Sequence, residues 1–206
     1  MLLPQDKLIL FFDTETTGLM DKTLPLNERA CIVQLAYIIG MYNGETMDVI
    51  EKKNIMCKPL VPIHPKAQEV HGFSDETVAN CPPFIDIAGD FFRSILEADM
   101  IVGHNIKFDI DMVEAEAEKI WPDASKRNAF ISKLRKKSLC TMTPSVQLCK
   151  CPFPSGKRGY KWPKLTELYR FLFDKEVENA HDALGDITAT MECFIELHQR
   201  KKIVII

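Results

Sequence analysis

Five consecutive apolar residues, Leu8-Ile9-Leu10-Phe11-Phe12, run straight into Asp13-Thr14-Glu15. A short unbroken apolar run from Lys7 to Phe12 that stops at an acid reads as a buried central strand, so a sheet must form the middle of the fold. Side chains alternate along a strand, which puts Asp13 and Glu15 on one face and points Thr14 away. Two carboxylates at the end of a buried strand repel each other unless something positive lies between them. Oxygen-rich ligation with open positions suits Mg²⁺ or Mn²⁺. A solvated strand end followed by a Thr-Gly turn fits the same residues, and Asp-x-Glu alone does not choose between the two.

The rest of the chain supplies further strands and the helices to cover them. Cys31–Gly40 is β-rich, Asn43-Gly44 follows, and Thr46–Cys57 is again strand-like. Asn-Gly between two such runs predicts a hairpin, so the second and third strands are expected to be antiparallel. Pro59–Pro65 reads as a loop. Pro65 opens a short helix that Gly72 closes, and Ser74 caps the next. Pro82–Ala98 predicts a helix with Phe84, Ile87, Ala88, Phe91, Phe92 and Ile95 on one face. Asp99–Gly103 reads as a short buried strand. Ile106, Ile110, Val113, Ala117 and Ile120 recur at steps of four and three, which predicts a helix with Asn105 at its N-cap. A strand at Ser138–Met142, a helix at Lys164–Phe173 and a last helix at Asp182–Gln199 complete the order β-β-β-α-β-α-β-α-α. The expected fold is α/β, a mixed sheet flanked by helices, and residues 1–206 are expected to form a single domain.

Composition sets bounds without choosing a function. Of 206 residues, 46% are apolar and 27% charged, normal for a globular chain with a sizeable core. The formal net charge of −3 gives no hint of a nucleic-acid partner. Neither a signal peptide nor a membrane span is expected from the residues. The seven cysteines are odd in number and scattered, which suggests reduced thiols and a cytoplasmic setting. Cys149-Lys150-Cys151 lacks the usual zinc spacing and a matching Cys/His pair, so these read as structural thiols.

Two more segments bear acids or imidazoles at element boundaries. In Gly103-His104-Asn105-Ile106-Lys107-Phe108-Asp109, Asp109 sits near a helix N-terminus, where it serves either the dipole or a site. In His181-Asp182-Ala183-Leu184-Gly185-Asp186, Asp186 lies in the first turns of the last helix. Its neighbours on that side, Ala189 and Cys193, are small enough to let the carboxylate point into a cleft. His181 just precedes the helix.

Taken together, these segments resemble the histidine branch of the DEDD exonuclease superfamily, which includes the epsilon proofreading subunit of bacterial DNA polymerase III, ribonuclease T and the oligoribonucleases. The motifs read Asp13-Thr14-Glu15, Asn105-Ile106-Lys107-Phe108-Asp109, and His181 followed after four residues by Asp186, in the family's order and over about residues 6–200. Pro62-Ile63-His64-Pro65 leading to His71-Gly72-Phe73-Ser74-Asp75-Glu76, and Lys164-Leu165-Thr166-Glu167-Leu168, also match.

The resemblance implies a ribonuclease H-like fold and a metal-dependent 3′→5′ exonuclease. It implies that Asp13, Glu15 and Asp186 bind a first Mg²⁺ or Mn²⁺, with Asp13 bridging to a second held by Asp109. His181 would be the general base. Thr16 and Leu19 match positions that hold the terminal nucleotide, Asn105 belongs to the substrate-binding motif, and Phe108 is a stacking partner or wall. Leu19 and Phe108 suit a core equally well.

From Lys126 to Lys164 the chain carries eleven basic residues and no acid, with Tyr160 and Trp162 interleaved. This reads as a phosphate-tracking surface with base stacking. The partner is therefore expected to be nucleic acid with a single-stranded 3′ end, DNA favoured over RNA because Asp13-Thr14-Glu15-Thr16-Thr17-Gly18 resembles the proofreaders. A polymerase partner remains open, although nothing after Gln199 resembles the tail by which proofreaders hold one, and no membrane partner is expected. Met20–Ala30 is longer than in compact relatives and is expected beside the active-site mouth, as a gate or idle. The rival readings are an RNA-trimming exoribonuclease and a catalytically silent nucleic-acid-binding module of the same fold.

Overall fold

Strand β1, Lys7–Thr16, has a partner on each side, and both faces of its pleat are covered. The structure is a computed structural model and describes residues 6–178 and 182–205. β1 does not stop at Asp13 as the apolar run predicts. Asp13 pairs with Ala36 and Glu15 with Gln34 in the antiparallel ladder to β2, Ile32–Tyr42, so both acids lie within the strand. The register slips between Glu15 and Thr16. Such irregularities bend a strand and re-aim side chains, and are common next to active sites.

The predicted hairpin forms. β2 turns into β3, Met47–Met56, through Asn43–Thr46, where the Asn43 side chain accepts from the amides of Glu45 and Thr46 at 2.9 and 2.8 Å. Gly44 takes φ 99°, a conformation glycine adopts without strain. Helix α1, Pro65–His71, closes at Gly72 with φ 80°, and α2, Asp75–Val78, is capped by Ser74, as the sequence predicts. Helix α3, Phe84–Glu97, then leads into β4, Met100–Gly103, which runs parallel to β1.

Helix α4 spans Lys107–Ile120 and begins two residues later than the periodicity suggests. Asn105 is not its N-cap. It takes φ 60°, Ile106 occupies the cap position, and no side chain caps the helix. Asparagine tolerates the left-handed region better than most residues, and here it turns the chain out of β4.

Two helices escaped the sequence reading. Helix α5, Ala124–Lys137, has only Phe130, Ile131 and Leu134 buried, and its basic residues hide the apolar stripe. Asp123 caps it, and Arg135, Lys136 and Lys137 sit in its last turn, where the helix dipole favours cations. β5, Ser138–Cys140, ends short of Met142 because helix α6, Met142–Cys149, takes over. Helices α7, Leu165–Phe173, and α8, Ala183–Gln199, follow.

The sheet order is β3-β2-β1-β4-β5, antiparallel on the β2 side of β1 and parallel on the β4 side. Even-numbered residues of β1, Leu10 and Phe12, pack with α3, α4 and α5. Odd-numbered ones, Ile9 and Phe11, pack with α7 and α8. Phe12 meets Phe91 edge-on at 5.3 Å and Phe11 meets Phe194 edge-on at 5.5 Å. Each such pair contributes about 1 kcal/mol beyond the area it buries. The same alternation that divides the core divides the polar residues at the strand's end. No helix among the described residues is long and apolar enough to cross a membrane.

Candidate active site

Asp13 and Glu15 continue the odd-numbered face of β1 and so point towards α8, where Asp186 occupies the first turn. One carboxylate oxygen from each of the three lies within 4.8 Å of the others. Thr14 continues the even face. Its hydroxyl and its amide both donate to Oδ1 of Asp109, at 2.8 and 3.0 Å, fixing a carboxylate from the first turn of α4 against the strand. The structure thus brings the four sequence-identified carboxylates to one strand end, three in a tight group and the fourth held alongside by Thr14.

The electrostatics of this group are unfavourable as it stands. Burial, then the charges of Asp109, Glu15 and Asp186, push the Asp13 carboxyl well above the usual carboxylate range. Burial and the Asp186 and Asp109 charges raise Glu15 to about 8. Burial raises Asp109 to about 7, opposed by the Thr14 hydrogen bonds. A divalent cation between these oxygens would reverse the repulsion and keep every carboxylate ionised. A hard ion bound at about 2.0–2.6 Å from each oxygen spans separations of this size. The donor set therefore fits a divalent metal.

The neighbouring residues form a cleft of about 830 Å³, lined in part by Leu19, Leu24, Val61, His64, Val70 and Phe108. Its size suits one nucleotide or a comparable ligand. Leu19 is 85% exposed at the rim, whereas Phe108 is half-buried and also packs on the core. Buried Thr16 lines the floor. Its carbonyl accepts from Nε2 of His71 at 3.2 Å, and its hydroxyl donates to the Gly18 carbonyl at 2.9 Å. Thr17 exchanges hydrogen bonds with Cys31 through both its amide and its hydroxyl. The Thr-Thr-Gly turn is thereby fastened to β2 and to α1. Exposed Asn105 does not line the cleft. His181 lies outside the described residues.

The segment Met20–Ala30 does border the cleft, through Leu24, Glu28 and Ala30. It is held against α4 by ion pairs: Lys22 with Asp111 at 3.2 Å and Glu114 at 3.0 Å, and Arg29 with Glu118 at 3.0 Å.

Gln34 is a residue that pattern reading passed over. It faces Glu15 across the β1–β2 ladder and is 2% exposed. Its amide group donates to Asp182 at 2.9 Å, and its carbonyl accepts from the Ala183 amide at 3.1 Å. Asp182 in turn caps α8. One side chain thus grips both the cap and the first residue of the helix that delivers Asp186. The available signal was a polar residue inside the apolar run Ile32-Val33-Gln34-Leu35-Ala36.

The basic run divides in two. Arg127, Arg135, Lys137 and Lys161 have internal partners: the Trp121 carbonyl, Asp111 and Glu114, the Leu96 and Ala98 carbonyls, and Glu167. Lys126, Lys133, Lys136, Lys150, Lys157, Arg158 and Lys164 have no carboxylate within ion-pair distance among the described residues. All seven cysteines are free thiols.

Residues 10–194 match the family model described as an exonuclease, RNase_T. Among curated relatives, the chain is 30% identical to the DNA polymerase III subunit epsilon of Haemophilus influenzae over 162 residues, covering 77% of this chain and 55% of the relative. The epsilon subunit of Pasteurella multocida is 29% identical, with 91% and 67% covered. An uncharacterized exonuclease of Escherichia phage 186 is 28% identical, with 88% and 84% covered. The chain thus spans only about half to two thirds of the epsilon subunits. Among solved structures, Escherichia coli Exonuclease I in complex with a dA16 oligonucleotide superposes with a TM-score of 0.70 at 20% identity, covering 95% of this chain and 41% of that one. Exonuclease X in complex with 5′ overhanging duplex DNA gives 0.54 at 19% identity, with 94% and 93% covered. These likenesses carry the expected ribonuclease H-like fold.

Proposed function

The chain belongs to the exonuclease family that its residues 10–194 match, within the DEDD 3′→5′ exonuclease superfamily, and from that premise we propose that it removes nucleoside monophosphates from the 3′ end of single-stranded DNA. The observation that carries this reading is the convergence of Asp13, Glu15 and Asp186 from β1 and α8, with Asp109 tied alongside by Thr14.

Asp13, Glu15 and Asp186 would hold one divalent cation, and Asp13 with Asp109 a second. Two Mg²⁺ or Mn²⁺ ions so held would stabilise the attacking and leaving oxygens of an in-line displacement. The chain's own groups do the rest. Thr16 offers backbone polar groups to the terminal sugar from a turn immobilised by Cys31 and His71. Leu19 and Phe108 flank the last base in the cleft. His181, five positions before Asp186, takes the proton from the attacking water as general base.

DNA is favoured over RNA because the form of the first motif and the epsilon-subunit relatives point the same way. A 5′-labelled single-stranded DNA and its RNA twin, incubated with Mg²⁺, with chelator, and with His181→Ala, test the reading. A ladder shortening from the 3′ end is expected, abolished by chelator, reduced about a hundredfold or more in the variant, and faster on DNA. Faster loss of the RNA twin would make the protein an exoribonuclease. No shortening of either strand by folded, metal-loaded protein would leave a binding module.

A further inference from the structure

Of the cations in the basic run without an ion pair, Lys126, Lys133 and Lys136 lie along α5, and the other four gather on one element. Residues 151–161 double back on themselves: the Lys161 amide donates to the Cys151 carbonyl at 2.9 Å, and Pro152 bridges Tyr160 in antiparallel fashion. The tip turns through Gly156, whose amide donates to the Phe153 carbonyl at 3.0 Å, with φ 71° there and 105° at Gly159. Lys157 lies over the Phe153 ring, 5.6 Å from its centre, and Arg158 follows it. Lys161 is spent on Glu167, but Lys150, Lys157, Arg158 and Lys164 all face solvent.

Beside them stands Trp162, 68% exposed, and Tyr160, 41% exposed. The chain has two tryptophans, and the other, Trp121, is packed against Phe92 and Phe130. A large apolar ring left in water amid unpaired cations fits a partner that offers both a flat apolar face and negative charge. Unpaired nucleotides offer both.

The root of this hairpin is tied to the active-site end of the sheet. The Pro163 carbonyl accepts from Nε2 of His104 at 3.0 Å, and Nδ1 of His104 meets the Thr141 hydroxyl at 2.9 Å. Since a carbonyl only accepts, Nε2 carries the proton and Nδ1 accepts from Thr141. His104 belongs to the link between β4 and α4, the same link that leads to Phe108 of the cleft and to Asp109.

We propose that the hairpin of residues 150–164 is a second strand-binding element, which grips unpaired nucleotides on the 5′ side of those in the cleft. Trp162 stacks on a base while Lys157, Arg158 and Lys164 neutralise phosphates. This rests on the exonuclease reading for the cleft and adds to it a dependence on strand length. A strand long enough to reach the hairpin is held through both contacts, and one only a few nucleotides long is held by the cleft alone.

Trp162→Ala and a Lys157→Ala/Arg158→Ala pair test the idea, since all three side chains are exposed and circular dichroism can verify the fold. Binding of a fluorescent oligothymidylate of about twenty nucleotides, longer than a typical single-strand site, is followed by anisotropy in chelator across a salt series. Trinucleotide hydrolysis is followed with Mg²⁺. Trp162→Ala is expected to weaken the long strand about tenfold. The double variant is expected to flatten the salt slope by about 1.4, two single-strand phosphate contacts. Both should cleave the trinucleotide like wild type. Wild-type affinity and slope in both variants would overturn the proposal, as would losses seen equally with the trinucleotide. Failure of wild type to cleave either strand would instead overturn the exonuclease reading, and the binding comparison would still stand.

Discussion

On one face of the end of β1, the Asp109 carboxylate is met by two donors from Thr14. On the other face, Asp13 and Glu15 are met by another acid, Asp186. The acids come from neighbouring strand positions and from the first turns of two helices, yet on one side hydrogen bonds oppose the cost of burial, leaving Asp109 at about 7, and on the other burial and neighbouring charges carry Asp13 well above the usual carboxylate range. A buried carboxylate that accepts such donors is fixed in position and kept closer to its ionised form. A cluster that raises its own members towards neutrality is a place for a cation. The difference is set by one residue's alternation along the strand.

The sharpest way to break this comparison is Asp13→Asn. If the acid face is the reacting one, nuclease activity falls by at least about a hundredfold, while the metal-free protein gains stability because a repelling charge has gone. Retention of activity with Mg²⁺ would place the chemistry elsewhere. Gln34→Leu acts on the same face at one remove, by freeing the Asp182 cap and the first amide of α8. We expect kcat to fall about tenfold with KM little changed, and the Mg²⁺ requirement to move to higher concentration. A lowered melting temperature with kcat and the Mg²⁺ requirement intact would make Gln34 a packing residue and nothing more.

On the other face, Thr14→Val removes the hydroxyl donor and leaves the Asp109 carboxylate with backbone amides only. Urea unfolding should show a loss of about 1–3 kcal/mol. A loss under a few tenths would mean that water or a cation already serves that oxygen. The last test concerns pH. Glu15 is raised from 4.5 to about 8 in the folded chain, so between those values the folded state keeps a proton that the unfolded state has released. Stability of the chelated protein therefore falls as pH rises from about 4.5 through about 8, and saturating Mg²⁺ should remove the slope. A chelated protein whose urea midpoint is flat across that window would show that the acids do not repel as their placement implies.

Local periodicity made much of this legible. The alternation of Phe12, Asp13, Thr14 and Glu15 placed the acids on one face, and the small neighbours Ala189 and Cys193, both buried, turned Asp186 towards the sheet. Helix α5 was hidden because its apolar stripe is three residues wide in a segment dominated by lysine and arginine, which read as one basic surface. Asn105 misled because an asparagine before a helical run suits a cap and a left-handed turn equally well, and only the path out of β4 decides. Gln34 has no local signature beyond its polarity, since its partner Asp182 lies 148 positions along the chain.

That separation bears on how the protein is made. β1 precedes α8 in the chain, so Asp13 and Glu15 are made before the helix that completes their group. Docking α8 brings a third negative charge to two others, against their repulsion. Contacts of such long range form late and slowly, and this one is favoured by the same cation that the finished site is suited to hold. Until α8 docks the acid group is incomplete, and its completion and the binding of a cation would favour each other.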